Sequence, residues 1–376
     1  MNRFAFIIHP LDTEDIYRKF PLAKRLPQAW IEHGLSRLPA LKISEITGVR
    51  SKTGAETRGW FVACPVTSRL MMKLPEDYVL QKITASARLA EKLGAQIVGL
   101  GALTSVVGDA GVTVAKNVNI PVTTGNSYTV ATALQGIKKA ATLLEKDLSQ
   151  SVVAVVGATG SIGKACSRLL ARQVRELVLV GRREEALNRL ADQIRTAGSV
   201  AEVKVSTNSR GALAKADVVV TVTSAVDTII EPQDLKSGAI VCDVARPRDV
   251  SKKVAELRKD VLVFEGGVVR VPGNVDFGFN FGFPPGTSYA CMAETMILAL
   301  EGRLESYTLG RDLTVEQVTE IAELAEKHGF TLDGLRSFER ALADEEIEAI
   351  KKRIKSKHGV VIPLDISTTQ DEASLA

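Results

Sequence analysis

The sequence predicts an α/β fold, and three features of the chain lead to this prediction. A run of strand-forming residues, Val152 to Val156, leads directly into a glycine-rich segment, and a helical pattern follows it. A second apolar strand pattern then completes the order of a βαβ unit. Further strand patterns alternate with helical ones, which predicts a mostly parallel, Rossmann-like sheet. The predicted strands are 152–156, 177–180, 201–205, 217–223, 239–244 and 261–264.

The glycine-rich segment GATGSIG is suited to a pyrophosphate. Glycine allows a tight turn and close approach of the ligand, and the helix that follows presents unpaired N–H groups. The spacing GxxGxxG differs from the commonest dinucleotide fingerprint, so the alternative is a tight turn in another α/β domain. The predicted cofactor contacts combine this loop with the polar end of the fourth strand: Gly157, Ala158, Thr159, Gly160, Ser161, Ile162, Gly163, Thr223 and Ser224.

The end of the second strand predicts which dinucleotide is bound. NAD-binding units carry an acidic residue there, whereas this chain has Arg182 and Arg183 after Gly181. Two guanidinium groups match the oxygens of a 2′-phosphate, so the sequence predicts NADPH as the cofactor. The alternative is two solvated arginines at the start of the next helix.

The rest of the chain predicts a smaller N-terminal α/β domain and C-terminal helices. We expect the smaller domain over 1–125, the Rossmann domain with its entry helix over 126–285, and C-terminal helices packing back between the domains over 286–360. The polar, aperiodic residues 361–376 are expected to be disordered. At the boundary near residue 125, Asn126 or Ser127 is expected to cap a helix beginning at Tyr128, although this turn could instead face a ligand.

Composition narrows the class of protein. The chain has 376 residues, 45% of them hydrophobic and 24% charged, and a formal net charge of +4, which is typical of a globular protein and gives no sign of nucleic-acid binding. The four cysteines and four histidines lack metal-ligand spacing. No apolar run reaches the length of a membrane span, and the start is unlike a signal peptide. We therefore expect a cytoplasmic protein without a metal, leaving weak contact with a membrane surface and the oligomeric state open.

One cysteine is a candidate nucleophile. If Thr287 or Ser288 caps the next helix, Cys291 lies in its first turn, where N–H groups and the helix dipole lower a thiol pKa. A thiolate beside a nicotinamide could accept an acyl group that is then reduced. The alternative is a small buried helix residue. Just before this helix, Phe277, Phe279, Phe281 and Phe283 alternate mainly with glycine, which predicts either the wall of an apolar pocket or a plug at the domain junction.

Several blocks in order resemble the long-chain acyl-[acyl-carrier-protein] reductases of cyanobacterial alkane synthesis. They are LGALTS at 100–105, TTGN at 123–126, GATGSIG at 157–163, GGVV at 266–269 and YACMAETMILALEG at 289–302, and the likeness spans about residues 4–330. The resemblance implies that the glycine loop binds NADPH and that Cys291 is the acylated nucleophile. It also implies acyl-carrier protein or acyl-coenzyme A as the partner that brings the substrate.

A second resemblance keeps another function open. The block CDVARPRDV at 242–250, which we interpret as a salt-bridged turn, resembles shikimate dehydrogenase-like and glutamyl-tRNA-reductase-like Rossmann proteins. The first hypothesis is therefore NADPH-dependent reduction of a long-chain acyl thioester to a fatty aldehyde through a cysteine acyl-enzyme. The alternative is an NADP-dependent dehydrogenase of the shikimate or amino-acid type, with direct hydride transfer and with Lys73 and Asn126 as polar candidates. An NADP-sensing regulator, in which Cys291 is unreactive, is a third hypothesis.

Overall fold

A computed structural model describes residues 1–19, 21–280 and 282–356 of the chain. Phe281 of the phenylalanine-rich segment and the predicted tail 361–376 lie outside these described residues. Helices and strands alternate along the chain, and most strands belong to two six-stranded sheets. The predicted α/β class with a mostly parallel Rossmann-like sheet is confirmed.

The six strands predicted for the Rossmann-like sheet lie within two residues of their predicted positions, and the structure adds others. In chain order they are β1 (Arg3–Ile8), β2 (Leu41–Arg50), β3 (Glu56–Ala63), β4 (Ile97–Leu100), β5 (Val122–Thr123), β6 (Val152–Val156), β7 (Glu176–Val180), β8 (Glu202–Ser206), β9 (Val218–Thr221), β10 (Ile240–Asp243), β11 (Leu262–Glu265), β12 (Val268–Arg270), β13 (Gly273–Asp276), β14 (Thr287–Tyr289), β15 (Thr331–Leu332), β16 (Arg336–Ser337) and β17 (Arg340–Ala341).

The helices fill the predicted gaps between strands. They are α1 (Thr13–Lys19), α2 (Gln28–Arg37), α3 (Ser68–Met71), α4 (Glu76–Lys92), α5 (Val112–Lys116), α6 (Asn126–Leu143), α7 (Ser161–Leu170), α8 (Glu184–Thr196), α9 (Ser209–Leu213), α10 (Lys252–Leu257), α11 (Ala290–Glu301), α12 (Val315–His328) and α13 (Asp344–Lys355). In the described residues, no helix combines the length and the apolar character needed to cross a membrane.

The second sheet is a doubly wound parallel sheet. Its strand order is β11-β10-β9-β6-β7-β8, and every neighbouring pair is parallel. All five residues of β6 are buried, as the unbroken valine-rich run predicts for a central strand covered on both faces. The chain reverses direction across the sheet between β6 and β9. Sheets of this kind bind ligands at the carboxyl edge beside such a reversal.

The first sheet is mixed and includes a strand from far along the chain. Its order is β13-β2-β3-β1-β4-β5. The pairs β3–β1, β1–β4 and β4–β5 are parallel, whereas β2 pairs antiparallel with β3 and with β13. β13 comes from the segment that follows the second sheet, so the chain returns to the first sheet there. The domain boundaries given by the sequence stay a prediction.

Helices α6 and α11 lie between the two sheets and pack on each other. α11 contacts β1, β3 and β4 of the first sheet, whereas α6 contacts α7 and β10 on the other side. Glycines allow each helix to approach a sheet closely. A Cβ on Gly136 of α6 would come 2.6 Å from the Phe264 ring of β11, and a Cβ on Gly99 of β4 would come 2.0 Å from Thr295 Oγ1 of α11. The two helices therefore connect the sheets through tight packing.

The approach of α11 to the first sheet predicts a stability effect. We expect Gly99→Ala to lower the free energy of unfolding by about 1–3 kcal/mol, because overpacking of a filled core forces neighbours to move. Gly34→Ala is the control, since Gly34 has no atom within 4 Å of an added Cβ and helical alanine is favoured by about 0.5–1 kcal/mol. Denaturant unfolding of both variants measures the difference, and equal stability would contradict the packing described.

Candidate functional site

The glycine loop joins β6 to α7 and has the geometry that its glycines require. Gly157 has a φ of 82°, in the left-handed region that favours glycine. A Cβ at Gly163 would come 2.3 Å from the carbonyl oxygen of Gly157, so close packing within the loop excludes a side chain there. The amides of Gly157 and Ala158 donate to the Val180 carbonyl, which fixes the loop to the end of β7.

The start of α7 fits the phosphates of a dinucleotide. The Ser161 hydroxyl is buried and has no hydrogen-bond partner in the described residues. The amides of Ser161 and Ile162, in the first turn of α7, donate to no described residue either. An added Cβ on Gly160 would meet only the Gly157 carbonyl, at 3.3 Å, so space remains above the loop. Unpaired donors, the positive end of a helix and free space together suit a phosphate group.

The other predicted cofactor residues differ in their contact with this loop and in whether their side chains are free to bind a ligand. Arg182 and Arg183 follow β7, are exposed, and form no ion pair within the described part of the chain. The loop after β9 is also adjacent, since a Cβ on Gly157 would come 3.2 Å from Thr223 Cγ2. The Thr223 hydroxyl, however, donates to the buried Asp249 carboxylate and is engaged within the protein. Ser224 is partly exposed.

Cys291 lies at the same edge of the second sheet as the glycine loop. The amide of Ala290 donates to the Gly267 carbonyl at 2.7 Å, which places the start of α11 just beyond the end of β11. Cys291 is partly exposed, whereas Cys64, Cys166 and Cys242 are buried. All four cysteines are free, and Cys291 is the one that keeps some solvent exposure.

The predicted low pKa of Cys291 is wrong for the described state. Burial raises the pKa of its thiol to about 12, the Met292 amide and the Arg246 guanidinium act in the opposite direction, and the Glu294 carboxylate adds to the rise. The predicted capping of this helix is also wrong: Thr287 and Ser288 belong to β14, and Tyr289 precedes the first helical residue without a side-chain cap. Loss of hydration of the thiolate outweighs the favourable effect of the helix terminus.

A buried carboxylate lies one helical turn after Cys291. Glu294 is fully buried on α11, and its two oxygens accept five hydrogen bonds from the segment around β5, the start of α6 and a residue after α11. The donors are the hydroxyls of Thr123, Ser127 and Thr308 and the amides of Gly125 and Tyr128. A buried carboxylate is stable only when such donors compensate for its lost hydration. Glu294 therefore fastens α11 to the N-terminus of α6.

This arrangement corrects the predicted cap of α6. The helix begins at Asn126 after Gly125, which has a φ of 74°, and neither Asn126 nor Ser127 forms a side-chain cap. The Glu294 carboxylate accepts from the backbone there and acts as a cap from another helix. Sequence reasoning missed Glu294, although an acidic residue inside the apolar pattern of α11 was a usable signal, because a buried carboxylate requires partners.

Gly125 brings the start of α6 against Cys291. A Cβ on Gly125 would come 2.3 Å from the Cβ of Cys291 and 2.7 Å from its carbonyl oxygen. The N-termini of α6 and α11 therefore meet beside the Cys291 thiol. The TTGN turn at 123–126 therefore lies beside the candidate nucleophile. The sequence predicted that this turn either caps the helix or faces a ligand.

Thr308 is a strained residue in the same cluster. Its φ of 54° is rare for a β-branched side chain. The Thr308 hydroxyl donates to Glu294, and its carbonyl accepts from Thr124 at 2.7 Å. Residues with strained backbone dihedral angles cluster at functional sites, where the surrounding structure holds them in place. No local sequence signal marked Thr308, since its partners lie far away along the chain.

The turn after β10 is salt-bridged, as its sequence predicts, and its acidic partner is Glu265. Arg248 pairs with Glu265 at 2.7 Å, and Arg246 lies 3.5 Å from the same carboxylate. Arg246 also donates to the Tyr289 hydroxyl, two residues before Cys291. Asp243 instead accepts from the amides of its own turn. The turn thus places a buried positive charge near the start of α11.

Two phenylalanines of the segment contact other aromatic rings of the protein. Phe277 is buried and stacks on Phe61 of the first sheet with ring centroids 5.9 Å apart. Phe283 contacts the Tyr289 ring edge-on at 4.6 Å. These contacts match the plug at the junction rather than the wall of an open pocket. Lys73, the other polar candidate, is exposed, and no contact among the described residues brings it to Cys291.

Comparisons with known proteins agree with a dinucleotide-binding domain. The profile of the shikimate/quinate 5-dehydrogenase family matches residues 138–265, less than half of the chain. The chain is 33% identical to the aminotransferase PigE of a Serratia species over 93% of its own length, but it spans only 42% of that protein. It is 29% identical to the long-chain acyl-[acyl-carrier-protein] reductase of Synechococcus elongatus, covering 78% of this chain and 88% of that one. Glutamyl-tRNA reductase of Corynebacterium glutamicum is 31% identical over 30% of this chain and 25% of its own.

These similarities and the sheet topology define the class. The chain has a Rossmann-type, NAD(P)-binding domain of the oxidoreductase kind. The relatives carry the names of different enzymes: an aminotransferase, an acyl-carrier-protein reductase and a glutamyl-tRNA reductase.

The raised pKa of Cys291 predicts how its alkylation depends on pH. With a pKa near 12, the thiolate fraction is small at pH 7, and the rate should rise about tenfold per pH unit from pH 7 to 10, because only the thiolate reacts. Iodoacetamide labelling followed by peptide mass spectrometry measures this rate, with the buried Cys64 as an internal control that should stay unlabelled while the protein is folded. A rate that is already constant above pH 7 would show instead that the thiolate is stabilised.

Proposed function

We propose that the protein reduces a long-chain acyl thioester to a fatty aldehyde through an acyl-enzyme on Cys291. The observation that carries this proposal is the position of the Cys291 thiol. It is the one partly exposed cysteine, it lies where two helix N-termini meet, and it shares a sheet edge with the dinucleotide loop. The similarity to an enzyme named long-chain acyl-[acyl-carrier-protein] reductase supports the same reaction.

The loop residues from Gly157 to Gly163 would hold the pyrophosphate of NADPH, with the Ser161 hydroxyl and the α7 amides as donors. Arg182 and Arg183 would bind the 2′-phosphate, because they are exposed and unpaired in the described structure. When bound, NADPH supplies the hydride that an acyl group must accept to become an aldehyde.

Cys291 would perform the covalent part of the reaction. Its sulfur forms a bond to the carbonyl carbon of the thioester, and the carbon–sulfur bond to the carrier breaks, so that the carrier thiol leaves with the proton that Cys291 loses. The carrier would be acyl-carrier protein or coenzyme A. The Met292 amide at the start of α11 and the charge of Arg246 favour the developing thiolate, whereas burial and the Glu294 carboxylate oppose it.

A second candidate function is direct hydride transfer at an alcohol or amine carbon. It is favoured by the family profile that covers residues 138–265 and by the position of Asn126 at the candidate site. This dehydrogenase needs no covalent step. The two candidates therefore differ in whether Cys291 is required.

The covalent mechanism predicts the effect of Cys291→Ser. Serine keeps nearly the same shape but lacks an ionisable thiol, so aldehyde formation from a palmitoyl thioester should fall by at least about 10³-fold, the size expected when a nucleophile is lost. NADPH binding, followed by fluorescence titration, should remain normal because Cys291 is not part of the loop.

Cys64→Ala is the matched control, since Cys64 is buried in the first sheet and free. It should retain near wild-type activity if folded. A Cys291→Ser protein that still reduces its substrate at a near wild-type rate would favour the direct-hydride dehydrogenase.

The two arginines after β7 predict preference for NADPH over NADH. Replacing both Arg182 and Arg183 by alanine should weaken NADPH binding by about 10–150-fold, because charge-assisted hydrogen bonds contribute about 1.5–3 kcal/mol. NADH binding should change little. Arg189→Ala is the control, because Arg189 lies in α8, the helix that follows these two arginines, and is exposed. Equal affinity of the wild-type protein for the two cofactors would show that the arginines do not select the phosphate.

A further inference from the structure

Asn126 is a buried residue whose side-chain amide has no partner among the described residues. It is the first residue of the 18-residue helix α6, and the residue is 7% exposed. Its side-chain amide forms no hydrogen bond with any described residue, yet its polar atoms are not among those that are closed off from solvent. The amide is therefore available to a ligand.

The backbone beside it also has unused donors. Glu294 accepts from the amides of Gly125 and Tyr128, so two of the terminal N–H groups of α6 are satisfied. The amides of Asn126 and Ser127, which lie between them, donate to no described residue. The Ser127 hydroxyl is itself engaged by Glu294. Three donors therefore remain at this terminus: two backbone amides and the Asn126 side chain.

The residue directly before these donors lies against the candidate nucleophile. Gly125, the residue before Asn126, is so close to Cys291 that an added Cβ would come 2.3 Å from the Cβ of that cysteine. Glu294, one helical turn after Cys291 on α11, holds the two helices together by accepting a hydrogen bond from α6. A carbonyl group attacked by the Cys291 sulfur would develop its negative charge within this region.

We propose that the Asn126 side chain, together with the amides of Asn126 and Ser127, binds the carbonyl oxygen of the acyl thioester and stabilises the oxyanion. This inference rests on the proposed function and adds a catalytic residue to it. When the Cys291 sulfur bonds to the carbonyl carbon, the electron pair of the carbon–oxygen double bond moves onto oxygen. The same pair re-forms the double bond when the carrier thiolate leaves. Donors fixed in place before the reaction stabilise this charge without reorganisation.

The test uses the full-length protein and the variants Asn126→Ala and Asn126→Asp. Loss of one oxyanion donor should lower kcat for a palmitoyl thioester by about 10²–10³-fold, with little change in KM. Affinity for a long-chain alkyl trifluoromethyl ketone, which adds to a thiol and forms a stable oxyanion, should fall by about tenfold or more. Iodoacetamide alkylation of Cys291 forms no oxyanion, so its rate should stay within about threefold of wild type. Asn119→Ala removes an exposed amide elsewhere and is the control.

Three results would overturn the inference. If Asn126→Ala keeps wild-type kcat and ketone affinity, the donor role is wrong while the proposed function stands. If alkylation falls as much as kcat, Asn126 only positions the thiol. If wild-type protein neither takes up an acyl group nor binds the ketone, the proposed function fails together with the inference. Selective loss of kcat and ketone affinity in both Asn126 variants, with normal alkylation, would support it.

Discussion

The buried carboxylate of Glu294 is the contact on which the candidate site depends. It accepts five hydrogen bonds and joins α11 to the start of α6 and to the Thr308 segment. Removing it would leave buried donors unpaired, which costs more than the hydrogen bonds themselves contribute. Cys291 lies one turn before Glu294 on the same helix, so the position of its thiol depends on the hydrogen bonds that hold this carboxylate.

The two helices also explain why the site lies between the sheets. α11 packs on the first sheet and α6 on the second, and Gly99, Gly125 and Gly136 allow the close approaches. The same dense packing raises the pKa of Cys291 to about 12. The Met292 amide and Arg246 favour a negative charge on the thiol, while desolvation and the Glu294 carboxylate oppose it.

Local patterns in the sequence predicted much of the fold, and long-range contacts account for what they missed. The valine-rich β6, the glycine loop and the first-turn position of Cys291 depend on neighbouring residues and were predicted. The cap of α6 comes from Glu294, 168 residues after Asn126, and β13 pairs with β2 from another part of the chain. Hydrogen bonds between such distant residues leave no local period in the sequence. The burial that raises the pKa of Cys291 likewise arises only on folding.

Acylation of Cys291 can be observed by intact-protein mass spectrometry in the absence of NADPH. After incubation with a palmitoyl thioester, we expect one added palmitoyl group, mapped to the peptide that contains Cys291. Adding NADPH should then remove this group and release one equivalent of aldehyde. An unmodified protein that still consumes NADPH with its substrate, or an acyl group mapped to another residue, would contradict the account.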